Sequence, residues 1–125
     1  MDAYGFISAQ MAACGVPYEY GEWTTKVIYP YSVGELFEET PTTEDGLCVS
    51  SLLVTAFCRG KDAYAVLKDL KNKLRKHFDP IFGLRGDTDE GAIIVFYDNA
   101  LFVPTGEAEL KKIQINFTIK EWKGV

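Results

Sequence analysis

The sequence predicts an α+β domain in which a mostly antiparallel sheet of about five strands carries two α-helices, together with a long acidic hairpin or loop. Residues 47–59 follow a period of two and residues 62–78 follow the period of a helix. The last segment alternates strictly between apolar and polar residues, as in a strand with one buried face. With 125 residues the chain has room for one domain spanning 1–125.

Residues 2–14 predict the first helix. Asp2 is a suitable N-cap, and Gly15 followed by Pro17 is a typical end. One side of this helix carries Ala3, Phe6, Ile7, Gln10, Met11 and Cys14. Because Met and Phe stripes at helical spacing normally pack in cores, we assign this face to the interior.

Residues 18–24 and 25–33 are rich in aromatic and β-branched side chains, which favour strands. They form either a strand pair or one bent strand. Pro30 indicates an edge position or a bulge, because proline cannot donate to a strand ladder.

The segment 34–46 combines acidic residues with a proline and has no positive charge. It is either a solvated loop or the tip of a hairpin whose return strand begins near Leu47. Its acids are Glu35, Glu38, Glu39, Glu44 and Asp45.

The strand predicted at 47–59 has two faces that both become apolar at the centre. Alternate residues from Leu47 to Phe57 share one face, and those from Cys48 to Cys58 share the other. We therefore expect an interior strand with a helix on one face and a helix or a partner chain on the other.

The second helix begins after Gly60, with Asp62 as a plausible N-cap, and ends before Pro80. Its apolar stripe is Ala63, Val66, Leu67, Leu70, Leu74 and Phe78. Its outward face carries only Asp69 against the cations Lys68, Lys71, Lys73, Arg75 and Lys76. This helix is thus a positive surface on an acidic chain.

The remaining segments complete the sheet. Residues 82–91 are rich in Gly and Asp and are interpreted as a solvated turn. Residues 92–97 predict a strand that continues through a turn or bulge at Asp98 and Asn99 to residues 100–103. The last strand turns Ile113, Ile115, Phe117 and Ile119 to one face and Gln114, Asn116, Thr118 and Lys120 to the other. It has one buried and one wet or interfacial face, and most simply pairs antiparallel with 92–103.

The opposed charges suggest self-assembly. One chain carries an acidic projection and a basic helix, so copies can pair head-to-tail, and such a heterologous contact closes into a ring where the rotation permits. The candidate subunit contacts are Glu35, Glu38, Glu39, Glu44, Asp45, Lys68, Lys71 and Arg75.

Composition argues against several other classes. A formal charge of -5 disfavours a general nucleic-acid binder, and no apolar run approaches the roughly 20 residues of a membrane helix. The first residues lack a signal-peptide pattern, so we expect reduced cysteines in a cytosolic setting.

His77 is the sole histidine and lies at a helix end. Without metal-ligand spacing or a phosphate-binding glycine loop, we predict no enzyme, metal or cofactor, although a carboxylate-pair hydrolase remains an alternative.

Four stretches carry a resemblance to a known family: YPYSVGELFEETPTTEDGL, SLLVTAFCRGK, a Lys-rich helix ending in KHF, and GAIIVFYDNALFVPTGEAELKKIQINFTIKEWKG. Together they resemble the tail terminator (tail-completion) proteins of long-tailed phages, of the type encoded in prophages of Gram-positive bacteria. The resemblance spans nearly the whole chain and includes no catalytic signature.

The resemblance implies a structural role. Tail terminators form a hexameric ring that caps the tail tube and then joins the head connector. It therefore implies that the partners are copies of the chain itself, the tail tube and the head connector. It also places the protein in the virion, assembled in the bacterial cytoplasm. Another small protein of the same gene module, such as a head-completion protein or a tail chaperone, fits the same observations. A monomeric domain binding a small ligand or peptide would instead require a concave apolar pocket between sheet and helices.

Overall fold

A computed structural model describes residues 1–24, 26–40 and 46–123, with side chains for all of these except 38–40 and 123. In these residues the chain forms two helices and six strands. The helices are α1 (Ala3–Ala13) and α2 (Ala63–His77). The strands are β1 (Tyr18–Tyr20), β2 (Tyr31–Thr40), β3 (Leu47–Arg59), β4 (Leu84–Thr88), β5 (Gly91–Val103) and β6 (Leu110–Lys123).

The strands form one mixed sheet in the order β1-β2-β3-β6-β5-β4. β1 runs parallel to β2, and every other neighbouring pair is antiparallel. The α+β class with two helices is confirmed. The sheet has six strands, one more than the predicted number of about five.

The additional strand is β4, which lies in the segment 82–91 that the sequence predicts to be a solvated turn. Its Gly and Asp residues disfavour a strand locally, but Gly86 pairs with Ile93 of β5 and the ring of Phe6 lies over it. A neighbouring strand and a helix thus override the local preference.

The beginning of the sheet also differs from the prediction. The strands expected at 18–24 and 25–33 are instead the three-residue β1 and a β2 that starts at Tyr31. Residues 34–40 belong to β2, which pairs with β3, whereas residues 41–45 of the predicted acidic hairpin or loop lie outside the described residues.

The bounds of β3 agree with the predicted ones, and its position between β2 and β6 is interior. The face from Cys48 to Cys58 is buried and the other face is half-buried. The core consists of the buried face of β3 together with residues of α1, α2, β5 and β6. Both described helices therefore cover the same face, and the expected cover on the second face is not supplied by a described helix.

The first helix is capped as predicted. Asp2 has extended backbone angles, and its Oδ1 accepts a hydrogen bond from the Gly5 N–H at 2.9 Å. The inner side of α1 buries Ala3, Phe6, Ile7 and Met11.

We expect Asp2→Ala to lower the free energy of unfolding by about 1 kcal/mol, because the N–H of Gly5 then loses its acceptor at the helix end. Asp2→Asn keeps an accepting oxygen and serves as the control. Urea denaturation of the three proteins measures the difference, and equal midpoints for Asp2→Ala and the parent would show that the cap contributes nothing.

The apolar stripe of α2 is also as predicted. Ala63, Leu67, Leu70 and Leu74 are buried, and Phe78 directly after the helix is fully buried. Asp62 occupies the N-cap position but its side chain makes no capping hydrogen bond; instead the Ala63 N–H donates to the Gly60 carbonyl at 3.2 Å.

The sheet curls around its helices, since α1 contacts both β1 and β4, the strands at opposite edges. β1 pairs only with residues 32–34 of β2, and β4 only with residues 91–95 of β5. These short strands lie at diagonally opposite corners of the sheet. At the other two corners, residues 35–40 of β2 and 99–103 of β5, no described strand lies alongside.

Candidate assembly surfaces

The outward side of α2 is a cationic face made by five side chains. Lys68, Lys73, Arg75 and Lys76 are exposed, and Lys71 is half-buried. The ion pairs within the described residues are those of the Met1 amino group with Asp89 and of Arg59 with Glu107, so none involves this face. These charges are therefore available to a partner.

The acidic candidates are described only in part. Glu35 is exposed and projects from the sheet face opposite α2. The backbone of Glu38 and Glu39 continues β2, whereas Glu44 and Asp45 lie outside the described residues. The structure thus brings Lys68, Lys71 and Arg75 together on one helix but does not bring Glu35 to them. Within one chain the described opposite charges stay apart.

The face of the sheet that carries no described helix is half-buried and mixed in character. Tyr31 stacks on Phe57 of β3 with ring centroids 5.0 Å apart. On β6, Asn116 Nδ2 donates to Asn99 Oδ1 at 2.8 Å, and the Thr118 hydroxyl donates to Asp98 at 2.6 Å. The predicted division of β6 is confirmed: its isoleucines and Phe117 are buried, and its other side is accessible.

Two large apolar side chains project from this accessible face. Phe37 in β2 is 51% exposed and Leu101 in β5 is 65% exposed. Each lies in the half of its strand that has no described strand on its outer side. Sequence analysis did not select them, although an aromatic residue inside an acidic run is a signal for Phe37. Leu101 falls on this face because a register shift between Tyr97 and Asn99 precedes it, as the predicted bulge allows.

A second apolar projection follows α2. Ile81 is 77% exposed and Phe82 is 74% exposed. Asp79 Oδ1 accepts the N–H groups of both residues, at 2.7 and 2.9 Å, so the loop holds them in a fixed turn. The Phe82 and Ile81 N–H groups stabilise the carboxylate and lower the pKa of Asp79.

The crevice between α1 and the sheet is filled. It is lined by Ala3, Ile7, Tyr18, Leu36 and Leu52, among others, and has no space for a water molecule. Cavities with room for small molecules, of about 390 and 630 Å³, lie at the ends of the sheet beside Phe102 and beside Trp122. Two others, of about 360 and 350 Å³, lie against α2 beside Val66 and beside His77. The described residues therefore place no ligand cavity between α1 and the sheet, and the binding-module alternative has its candidate cavity beside Val66 of α2.

His77 and the cysteines have structural surroundings. His77 Nε2 hydrogen-bonds to Gln10 Oε1 at 2.8 Å, which links the ends of α1 and α2. None of the three cysteines forms a disulfide, and burial raises the pKa of the Cys14 and Cys58 thiols. Raised thiol pKa values keep these groups protonated and weakly nucleophilic.

Among the described residues, no group of three or more His, Cys, Asp or Glu side chains is arranged to hold a metal ion. No described helix has the length and apolarity to cross a membrane.

Comparison with known proteins adds no relative. No protein-family model matches the chain, and no curated protein matches it either.

Proposed function

We propose that this protein is a structural component of a phage tail that assembles into a ring and closes the end of the tail tube, in the manner of the tail terminators that its sequence resembles. In this role it belongs to the virion, between the tube and the head connector. The proposal is supported above all by one observation: the cationic face of α2 has no ion pair within the described chain, while the exposed Glu35 lies on the opposite side of the sheet.

Separated charges of this kind favour contacts between copies. Each chain presents two different patches, so the contact that joins them is heterologous and closes into a ring where the rotation permits. A single exposed ion pair contributes only about 0–1 kcal/mol, so charge sets orientation and apolar contacts must supply much of the affinity. The accessible sheet face and the fixed Ile81 and Phe82 projection provide apolar area for neighbours, the tube or the connector.

The test is charge reversal. We expect Glu38→Lys/Glu39→Lys to abolish rings, because two attractive contacts per interface become repulsive. The control Asp87→Lys/Glu90→Lys changes the net charge equally, at exposed positions on and beside β4, at the other end of the strand order from β2, and should leave rings intact. Lys68→Glu/Lys71→Glu added to the first variant should restore them.

Light scattering and negative-stain images report the outcome. Rings near six times the 14.0 kDa chain mass, which loosen as salt rises, are expected for the parent. A parent that stays monomeric at high concentration, or reversed variants with unchanged ring mass, would contradict the proposal. In a phage that carries the gene, its deletion should give tails of uncontrolled length.

A further inference from the structure

We propose that neighbouring copies join by pairing residues 35–38 of β2 in one copy with residues 100–103 of β5 in the next, so that the sheet continues from chain to chain. This inference rests on the proposed ring-forming function and names the contact that builds the ring. The partner on each edge is a second copy of this chain.

The outer edge of β5 is open where the contact requires it. β4 pairs with β5 no further than Val95, and the next hydrogen bond on this side runs from the Tyr97 N–H to the Phe78 carbonyl at 3.2 Å. From Asn99 to Val103 no described group bonds to this outer edge. The stretch contains neither a charge nor a proline, the features with which proteins usually block an exposed edge.

The outer edge of β2 likewise offers backbone groups. The Ser32 N–H points outward to the Pro17 carbonyl at 3.0 Å. Four residues further along β2, beyond the end of β1, the Leu36 N–H also points outward and donates to the Tyr20 hydroxyl at 3.2 Å. Tyr20 is an exposed side chain, so a carbonyl of a neighbouring strand can replace its hydroxyl.

The backbone directions exclude every second register. Outward-pointing residues alternate along a strand, and in an antiparallel pair they must stand opposite each other. On β5, Tyr97 points outward, and the register shift that follows it makes Ala100 and Phe102 the next outward residues. Placing Leu36 opposite Phe102 satisfies this condition.

The same register matches the side chains on both faces. It sets Phe37 opposite Leu101 on the accessible face, where both are exposed in the single chain. It sets Leu36 beside Phe102 on the helix face, where both are partly buried against the core. Apolar side chains on directly opposed residues stabilise sheets, so the pairing covers the two exposed side chains that the single chain leaves in water.

Strand direction also fits a repeated head-to-tail contact. β2 and β5 already run antiparallel within one sheet, so copies related by rotation about an axis inclined to the strands present them antiparallel. Within one sheet Leu36 is level with Tyr97, and placing it opposite Phe102 staggers each copy by about four residues, as the tilted strands of a closed barrel do. The open corners lie on the diagonal away from β1 and β4, and those two short strands do not block the contact. The backbone of Glu38 then comes opposite Ala100, close to the edge where Tyr64 of α2 contacts Phe102 with ring centroids 5.0 Å apart, whereas Glu35 stays on the face away from α2.

A cross-strand disulfide tests the register. In this pairing residues 37 and 101 form a non-hydrogen-bonded pair with Cα atoms about 4.5 Å apart, within the range for a disulfide. In a Cys14→Ala background, we expect oxidised Phe37→Cys/Leu101→Cys to give a ladder of covalent oligomers up to the ring number on a non-reducing gel. An equimolar mixture of the two single variants should stop at dimers, and each single variant alone should remain uncrosslinked.

The control pair is Glu35→Cys/Leu101→Cys, which is on the same face but two residues out of register, about 7–8 Å apart, and should crosslink at least ten times less. Circular dichroism of the reduced proteins checks that each variant is folded.

The outcomes separate the two proposals. Rings of normal mass without the 37–101 crosslink would overturn this contact and leave the ring-forming function standing. Crosslinked open filaments without rings would support the contact and overturn the ring. Dimers from Leu101→Cys alone would show a two-fold β5 contact, which contradicts the head-to-tail pairing. Uncrosslinked monomers would overturn both proposals.

Discussion

Phe117→Ala is expected to lower the free energy of unfolding by about 3–5 kcal/mol, the largest effect of any substitution considered for this protein. The side chain of Phe117 on β6 is almost fully buried. Its ring meets the edges of Phe78 and Tyr97, with centroids 5.2 and 5.8 Å apart. Truncation leaves a cavity between the end of α2 and the centre of the sheet, which a close-packed core refills only partly.

Phe82→Ala is the matched control, because it removes the same side chain at an exposed position. We expect it to change stability by no more than about 0.5 kcal/mol. Urea denaturation of both variants gives the two differences. Equal effects would mean that Phe117 does not occupy the core position described for it.

Gly86→Ala is expected to cost about 1–3 kcal/mol, although it adds a single methyl group. A Cβ at residue 86 would come within 2.7 Å of Phe6 Cζ and closer still to Cε1. Phe6 is buried at the contact of α1 with β4. The methyl group therefore pushes α1 away from this edge of the sheet.

A smaller partner should relieve the clash. In Gly86→Ala/Phe6→Leu we expect part of the stability lost in Gly86→Ala to return, so that the two changes are not additive. Asp87→Ala, next to it but exposed, is the control and should change stability by less than about 0.5 kcal/mol. Thermal unfolding of the parent, Gly86→Ala, Phe6→Leu and the double variant measures the coupling, with Asp87→Ala measured beside them; simple additivity would contradict the predicted contact.

The sequence-based predictions were accurate where the signal lies within one segment of the chain. The bounds of β3, the stripe of α2 and the alternation of β6 were all predictable, because each depends on a periodicity within one segment. The cap at Asp2 was predictable for the same reason. The charges of α2 were also readable directly, since exposure of Lys and Arg at helical spacing follows from the apolar stripe opposite them.

β4 was not predicted, and neither were the short length and parallel pairing of β1, because their causes are not local. β4 forms a strand because its backbone pairs with β5 and because the ring of Phe6 packs over Gly86. β1 has three residues and is defined only by pairing with residues 32–34. Neither partner can be recognised from the composition of the segment itself.

For the assembly surfaces, periodicity and composition were enough to predict the two-helix α+β class, the buried stripes and the segregation of basic from acidic residues. The functional proposal comes from the resemblance to tail terminators. The folded chain was needed to show that both described helices cover one face, that β1 and β4 stop short, and that Phe37 and Leu101 are exposed beside open edges. The physical reason is that the exposure of a side chain and the pairing of an edge depend on which other segments lie beside them, whereas periodicity and charge belong to each segment alone.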